Sequence, residues 1–368
     1  MTPIYLDYNA TAPLREASHA AMTAALRLTG NASSVHRAGR QARRLIEEAR
    51  EAVAARIGAR PAGVIFTSGG TEANNMALSA FPGRRILASA VEHPSVLKGE
   101  IDQIIPVDRD GVVDLAALEQ AVSGPPALVS VMLANNETGV IQPIAEIARL
   151  ARRKGALLHV DAVQAFGKLP VDIEALGADL LSLSAHKIGG PQGVGALIRR
   201  DPDLDIAPRA FGGGQEGRHR AGTENVAGIA GFGAAVGELD DIEAEAAHLA
   251  RLRDLVEESC RAAVPRLVRF GHKVRRLSNT SCFAIPGVPA QTLLMALDLE
   301  AVAVSAGSAC SSGKLAPSGV LIAMGEEALA GSAIRVSMGW ATTKMEIEEF
   351  GERFLRVAVH LAAEHSAA

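Results

Sequence analysis

Residues able to do covalent chemistry recur at the carboxyl ends of short apolar runs. Val64-Ile65-Phe66 leads into Thr67-Ser68-Gly69-Gly70-Thr71-Glu72. Glycines and hydroxyls that open a helix leave free backbone N–H groups, backed by the helix dipole, facing an anion. A capped helix start without a ligand would carry the same residues. Ala156 to Val160 is followed by Asp161 and Gln164. A carboxylate at a buried strand end is costly unless it meets a cation, although it could also cap a following helix. Leu180 to Leu183 is followed by Ser184-Ala185-His186-Lys187. Burial there lowers the lysine pKa and frees the amine to attack carbonyls, whereas a surface lysine would only open a loop. His93, in Val91-Glu92-His93-Pro94-Ser95, follows another such run, although a lone histidine is more often a satisfied structural one. An anion cradle, an acid for a pyridinium nitrogen, a lysine for an aldehyde and a nearby imidazole are together the parts of a pyridoxal-phosphate site.

The elements that must hold these residues are legible as alternating patterns. Apolar runs at Val64–Phe66, Arg85–Ala88, Ile104–Val107, Ala127–Leu133, Ala156–Val160, Leu180–Leu183 and Val194–Ile198 read as strands separated by helical stretches. That alternation predicts parallel strands covered by helices, with ligands beyond the carboxyl ends. Asp161 and Lys187 then fall on neighbouring strand ends, one crossover apart. Between Arg37 and Ile57, Ala42, Leu45, Ile46, Ala49 and Val53 recur at helical spacing, with Arg43, Arg44, Glu47, Glu48 and Arg50 on the other faces. The pattern changes near residue 243, where a charged helix over Ala244–Ala262 leads into shorter strands and a final helix from Thr343. A domain boundary is placed there, with the first fifteen residues packing on the second domain.

Composition narrows the function classes. The 368 residues are 48% apolar and carry a formal net charge of −4, so two domains are expected and a nucleic-acid binder is not supported. The only basic cluster of note, Arg218-His219-Arg220, reads better as phosphate or subunit-interface chemistry beside Thr223. No apolar run is long enough to span a bilayer. The N-terminus lacks the basic and apolar regions of a signal peptide, so a cytoplasmic protein is expected. The three cysteines, Cys260, Cys282 and Cys310, fit neither a CxxC pair nor a zinc site. Cys310 sits among small residues in Ser308-Ala309-Cys310-Ser311-Ser312-Gly313-Lys314, which suits either a reactive thiol on a loop or a small buried hydrophobe.

Beyond these patterns the chain resembles the cysteine desulfurase family of the NifS/IscS-like kind. The resemblance is carried by Tyr5-Leu6-Asp7-Tyr8-Asn9-Ala10-Thr11-Ala12-Pro13, Asn31-Ala32-Ser33-Ser34-Val35-His36, Thr67-Ser68-Gly69-Gly70-Thr71-Glu72-Ala73-Asn74-Asn75, Asn135-Asn136-Glu137-Thr138-Gly139, His159-Val160-Asp161-Ala162-Val163-Gln164, Ser184-Ala185-His186-Lys187, Arg220-Ala221-Gly222-Thr223, Gly307-Ser308-Ala309-Cys310 and Ile334-Arg335-Val336-Ser337. These stretches run in family order across nearly the whole chain.

The resemblance implies an α/β, aspartate-aminotransferase-like fold of type I. Its large domain (16–243) would hold a mainly parallel seven-stranded sheet. Its smaller α+β domain (1–15 and 244–368) would carry Cys310. It further implies pyridoxal 5'-phosphate as cofactor, a homodimer, and conversion of L-cysteine to L-alanine with the sulfur left on Cys310 as a persulfide. By the same resemblance Lys187 bonds the cofactor aldehyde, Asp161 keeps the pyridine nitrogen protonated, and His93 stacks on the ring and moves protons. Gln164 binds the ring oxygen. Gly70, Thr71, Ser184 and His186 hold the phosphate, with Thr223 reaching in from the second subunit. Asn136 and Arg335 bind the substrate, Arg335 by a two-pronged contact with its carboxylate. No resident metal is implied, Cys310 being at most a transient ligand of a nascent iron–sulfur cluster. An iron–sulfur scaffold or another sulfur-acceptor protein is the expected partner. Trp340 departs from the arginine common in housekeeping members of the family.

Overall fold

The computed structural model describes residues 2–307 and 316–364. Cys310 therefore lies outside the described residues. The chain opens with a two-residue strand, β1 (Ile4–Tyr5). Seven strands then form one sheet: β2 (Val64–Thr67), β3 (Arg85–Ser89), β4 (Gln103–Ile105), β5 (Ala127–Met132), β6 (Leu157–Asp161), β7 (Leu180–Ser184) and β8 (Gly195–Arg199). The later strands are β9 (Val268–Phe270), β10 (Thr280–Ala284), β11 (Val302–Ala303), β12 (Ser305–Ala306) and β13 (Ala333–Ser337).

Every residue of β5, β7 and β8 is buried, which is why those runs are apolar without alternation. The sheet order is β2-β8-β7-β6-β5-β3-β4. The expectation of parallel strands holds for six of the seven. Strand β8 runs antiparallel to both neighbours, β7 and β2. The reason is local: only a short turn with the 3-10 segment Ala185–Lys187 separates β7 from β8, and a parallel return needs a long crossover. Because β8 opposes both, β2 still points the same way as β7. The carboxyl ends of β2, β3, β5, β6 and β7 thus share one edge.

The helix expected over Arg37–Ile57 spans Arg37–Arg56, and the charged helix near residue 244 spans Ile242–Ala263. The last helix begins at Lys344. Among the described residues, the two largest apolar clusters lie one in each half of the chain's architecture. One surrounds the large sheet and includes Val129, Val160, Leu183 and Phe232. The other joins Ile4 and Leu6 to Leu252, Phe283, Val336 and Phe350. Strand β1 pairs in parallel with β11, and β12-β13-β10-β9 form a four-stranded sheet. Arg335 on β13 is thereby set between Cys282 on β10 and Ser305 on β12. Among the described residues no helix is long and apolar enough to cross a membrane.

Candidate functional site

A cavity of about 470 Å³ opens at the shared strand edge and reaches across to β12 and β13. It gathers Gly70, Thr71, His93, Asn136, Asp161 and Gln164, and also Ser184, His186, Lys187 and Arg335. Of the expected site residues, Thr223 lies on an exposed loop and does not line it.

The anion end is built where β2 turns into the helix Gly70–Leu78. Gly69 adopts φ +149°, a conformation that L side chains rarely take, and its position receives no side-chain cap. A Cβ on Gly195, at the start of β8, would stand 2.6 Å from the Gly69 carbonyl carbon. Both glycines are thus needed for the helix start to sit this close to the sheet. The first-turn N–H groups of Gly70 and Thr71 are without intrahelical partners by the geometry of a helix start. Ser184 and His186 line the same side. His186 is lowered to about 4, by desolvation first and by Lys187 and Lys168 second, and so is neutral at pH 7.

Asp161 is the last residue of β6 and is 5% exposed. Its Oδ1 accepts the Val163 N–H at 2.9 Å and its Oδ2 accepts Asn74 Nδ2 at 2.6 Å. No helix follows it, so the helix-cap alternative is set aside. Burial raises its pKa, while those two hydrogen bonds, His93 and Lys187 oppose the rise. A carboxylate in this setting is short of a cation, and a protonated ring nitrogen would supply one.

Lys187 ends the 3-10 turn after β7. Its Nζ donates to the backbone carbonyls of Asn9 at 2.5 Å and Ala10 at 2.8 Å. Desolvation lowers the amine to about 8, Arg335 adds to the effect, and Asp7 and Asp161 oppose it. A substantial neutral fraction at neutral pH makes it a nucleophile for an aldehyde.

His93 is exposed toward the cavity. Its pKa is nevertheless lowered, by desolvation and by Lys187, against the pull of Asp161. The Ser95 backbone N–H can only donate, and it reaches His93 Nδ1 at 3.1 Å. In the neutral ring the proton is therefore assigned to Nε2.

Gln164 Nε2 donates to the Asn9 carbonyl at 2.8 Å. Arg335 is 4% exposed; its Nη1 donates to Asn136 O at 2.8 Å and its Nη2 to Asp7 Oδ1 at 2.7 Å. The guanidinium is held from behind, in line with a planar fork offered to a carboxylate.

Sequence reasoning assigned no role to several residues that the structure places here. Asn74 ties Asp161 to Ser95 Oγ, at 2.9 Å from the latter. Asn9 receives both Lys187 and Gln164 through its carbonyl. Glu92 and Glu137 line the cavity and are buried. Ser318 Oγ donates to Glu137 at 2.5 Å, and Gly307 packs directly against the same carboxylate. Asn9, Asn74 and Glu137 stand inside motif stretches, which was the available signal. Trp340 lies under the Arg15 guanidinium, 3.9 Å from it, and edge-on to Tyr8. Among the described residues no group of His, Cys, Asp or Glu could hold a metal ion. Cys260 and Cys282 are buried and desolvation raises both thiols, as expected of structural cysteines.

The chain is similar to known proteins over nearly its whole length. The family profile Aminotransferase class-V covers residues 4–350. A protein named cysteine desulfurase IscS from Dictyoglomus turgidum is 44% identical over 362 residues, spanning 94% of this chain and 91% of its own. The X-ray structure of a NifS-like protein from Rickettsia africae superposes with a TM-score of 0.90 at 37% identity, over 97% of this chain and 99% of that one. A structure described as SspA in complex with cysteine superposes with a TM-score of 0.80 at 30% identity, over 92% and 99% of the two chains.

Proposed function

The chain belongs to the class-V aminotransferase family, and we propose that it is a pyridoxal-phosphate-dependent cysteine desulfurase. The observation that carries this is the joining of three groups in one cavity. These are a cation-seeking buried Asp161, a lysine amine lowered to about 8 and a back-supported Arg335. The residues present fit the cofactor. Gly70, Thr71, Ser184 and His186 would hold its phosphate, Asp161 its ring nitrogen, Gln164 its ring oxygen, and Lys187 its aldehyde. When bound, pyridoxal phosphate supplies an electron sink that stabilises negative charge at the amino acid Cα.

The rest falls to side chains. Arg335 grips the carboxylate of L-cysteine with a fork that lysine cannot offer, and Asn136 assists it. The neutral Lys187 amine takes the Cα proton, and His93 carries a proton on Nε2 for return to substrate. The Cys310 thiolate forms an S–S bond to the substrate sulfur as the substrate C–S bond breaks. The released electron pair stays on the carbon framework, which takes up protons and leaves as alanine, and the persulfide remains on Cys310. Gly307 and Gly319, on either side of the stretch that carries Cys310, line the cavity, which supports this role.

Delivery of the sulfur to an iron–sulfur scaffold or another sulfur-acceptor protein completes the reading, with Cys310 a transient ligand of a nascent cluster at most. A homodimer would let Thr223 serve the phosphate of the other copy, consistent with its exposure here. The cytoplasm is the proposed compartment. A large domain over 16–243 and a small one over 1–15 and 244–368 would let Arg335 and Cys310 move against the cofactor.

The test is to supply pyridoxal phosphate, L-cysteine and a reductant and to measure sulfide and alanine together. Equal amounts are expected, with sulfide lost in Cys310→Ala. Sulfide that survives that substitution points instead to a lyase without a protein persulfide, and absence of cysteine turnover rejects the desulfurase.

A further inference from the structure

Behind the cavity lies a lysine that the mechanism above does not use. Lys168 follows the turn after Gln164, and its Nζ donates to Gln164 Oε1 at 2.7 Å and to Asn9 Oδ1 at 2.9 Å. The residue is partly exposed as a whole, yet desolvation is the largest influence on its amine. It makes no ion pair within 4 Å of a carboxylate among the described residues; Glu245 acts on it only at longer range. Burial, with Lys187 and Arg335, lowers its pKa well below that of a free lysine, and an amine placed this way, facing two amide oxygens, serves the orientation of the amides rather than an ion pair.

We propose that Lys168 is a positioning residue for the desulfurase reaction, fixing the Gln164 and Asn9 amides so that their donor and acceptor edges face the cofactor and Lys187. The inference rests on the pyridoxal-phosphate reading of the cavity. The two ends of the Gln164 amide have opposite demands. Its Nε2 faces the Asn9 carbonyl, which only accepts, and its Oε1 faces Lys168, which donates whether protonated or neutral. The amide is therefore locked one way round, and its second N–H would be available to the ring oxygen of the cofactor in the cavity it lines. Asn9 is locked by the same amine. Its Oδ1 takes Lys168 Nζ and Asn279 Nδ2, and its Nδ2 gives to Thr280 Oγ1 at 2.9 Å. That holds in place the Asn9 backbone carbonyl, which receives Lys187 Nζ. One amine thus sets both the group offered to the ring oxygen and the acceptor that parks the reactive lysine.

The experiment compares parent, Lys168→Met, Gln164→Leu and the double variant. It reads the dissociation constant of pyridoxal phosphate and the absorbance spectrum of the bound cofactor. Lys168→Met keeps the length and removes the donor. It is expected to weaken cofactor binding about tenfold, the scale of one lost hydrogen bond, and to shift the absorbance maximum. In the Gln164→Leu background the same change should have little further effect, because the lysine acts through that amide. Lys168→Arg restores a donor, with a cavity of about 20 Å³ beside Lys168 to take part of the larger side chain, and should recover most of the affinity. A Lys168→Met protein with parental affinity and spectrum overturns the proposal. So does a loss that is fully additive with Gln164→Leu, or one that appears only as a lower melting temperature of the cofactor-free protein. Should Lys168→Met not fold, Lys168→Arg carries the test alone: an affinity no better than that of Gln164→Leu counts against the role. Failure of the parent itself to bind pyridoxal phosphate rejects the reading of the cavity instead.

Discussion

Replacing Glu92 by glutamine should flatten the dependence of stability on pH. Glu92 is 2% exposed and sits beside His93 in the cavity wall. Its Oε1 accepts Ser89 Oγ at 2.5 Å and the Met132 N–H at 2.8 Å, and its Oε2 finds no partner among the described residues. Desolvation pushes the carboxyl from 4.5 up to about 8; the two hydrogen bonds resist, and the Asp161 charge adds to the rise. A carboxyl with a raised folded pKa keeps its proton where the unfolded chain has lost it. Its share of stability is therefore whole below about 4.5 and is lost as the pH rises toward about 8.

At about 1.4 kcal/mol for each pH unit in that window, the full loss is ~5 kcal/mol. That is a large share of the 5–15 kcal/mol by which domains are typically stable, so the effect is measurable. Glutamine cannot ionise and keeps the shape of the neutral acid. Between pH ~5.5 and ~7.5 the parent should lose about 2.5 kcal/mol more stability than Glu92→Gln. Urea unfolding of the cofactor-free proteins, at one protein concentration, measures this without the contribution of bound ligand. The absolute stability of the variant does not matter, because an amide nitrogen placed where Oε2 stood alone carries its own cost. The slope does. Parallel curves for the two proteins would show that Glu92 ionises normally, and the reasoning from burial would be wrong.

Two further outcomes follow from the same groups. Arg335→Lys removes one prong of the fork and cannot reach Asn136 O and Asp7 Oδ1 together. KM for cysteine should rise about tenfold or more, with a smaller change in kcat, and an unchanged KM would place the carboxylate elsewhere. Because Lys187 is lowered to about 8, capture of pyridoxal phosphate by the cofactor-free protein should quicken about tenfold per pH unit below that value and level off above it. Stopped-flow absorbance reads the rate, and a flat profile between pH ~6 and ~9 would contradict the assignment.

The middle of the sheet was readable because strands such as β5, β7 and β8 are buried on both faces. Runs such as Ala127–Met132 have no competing period, and their ends could be placed within a residue or two. The direction of β8 was not readable from composition, since an apolar run looks the same in either sense. Only the brevity of the segment between Ser184 and Gly195 signals the reversal. Asp161, Lys187 and His93 stood out only as a set, since each alone also fits a helix cap, a loop opening or a structural histidine. Their supports did not stand out. Lys187 is held by the carbonyls of Asn9 and Ala10, and backbone groups carry no sequence signature. Asn74 lies in a helix and meets Asp161 across 87 positions, a contact that only the tertiary fold creates. Glu92 and Lys168 carry no sequence signal of their own, and only the fold shows Glu92 buried and Lys168 set against Gln164 and Asn9.

The distribution of charge across the cavity explains why so many titratable groups are crowded there. Burial takes His186 down to about 4 and Glu92 up to about 8, and desolvation lowers His93, so three of the nearest ionisable groups favour their neutral forms around pH 7. Arg335 is the fixed charge that remains at the substrate end, with Asp7 as its counter-ion. Burial raises the pKa of Asp161, with Val163, Asn74, His93 and Lys187 opposing the rise, so a further cation is what would complete its ionisation. Were Glu92 ionised as well, two buried carboxylates would compete for one cation, and each would raise the pKa of the other. On the proposed reading, a neutral Glu92 leaves Asp161 to pair with a ring nitrogen, and Lys187 and His93 are close enough to neutrality to move protons. Separating held charge from mobile protons is what the chemistry at an amino acid Cα requires, and burial rather than added countercharge achieves it here.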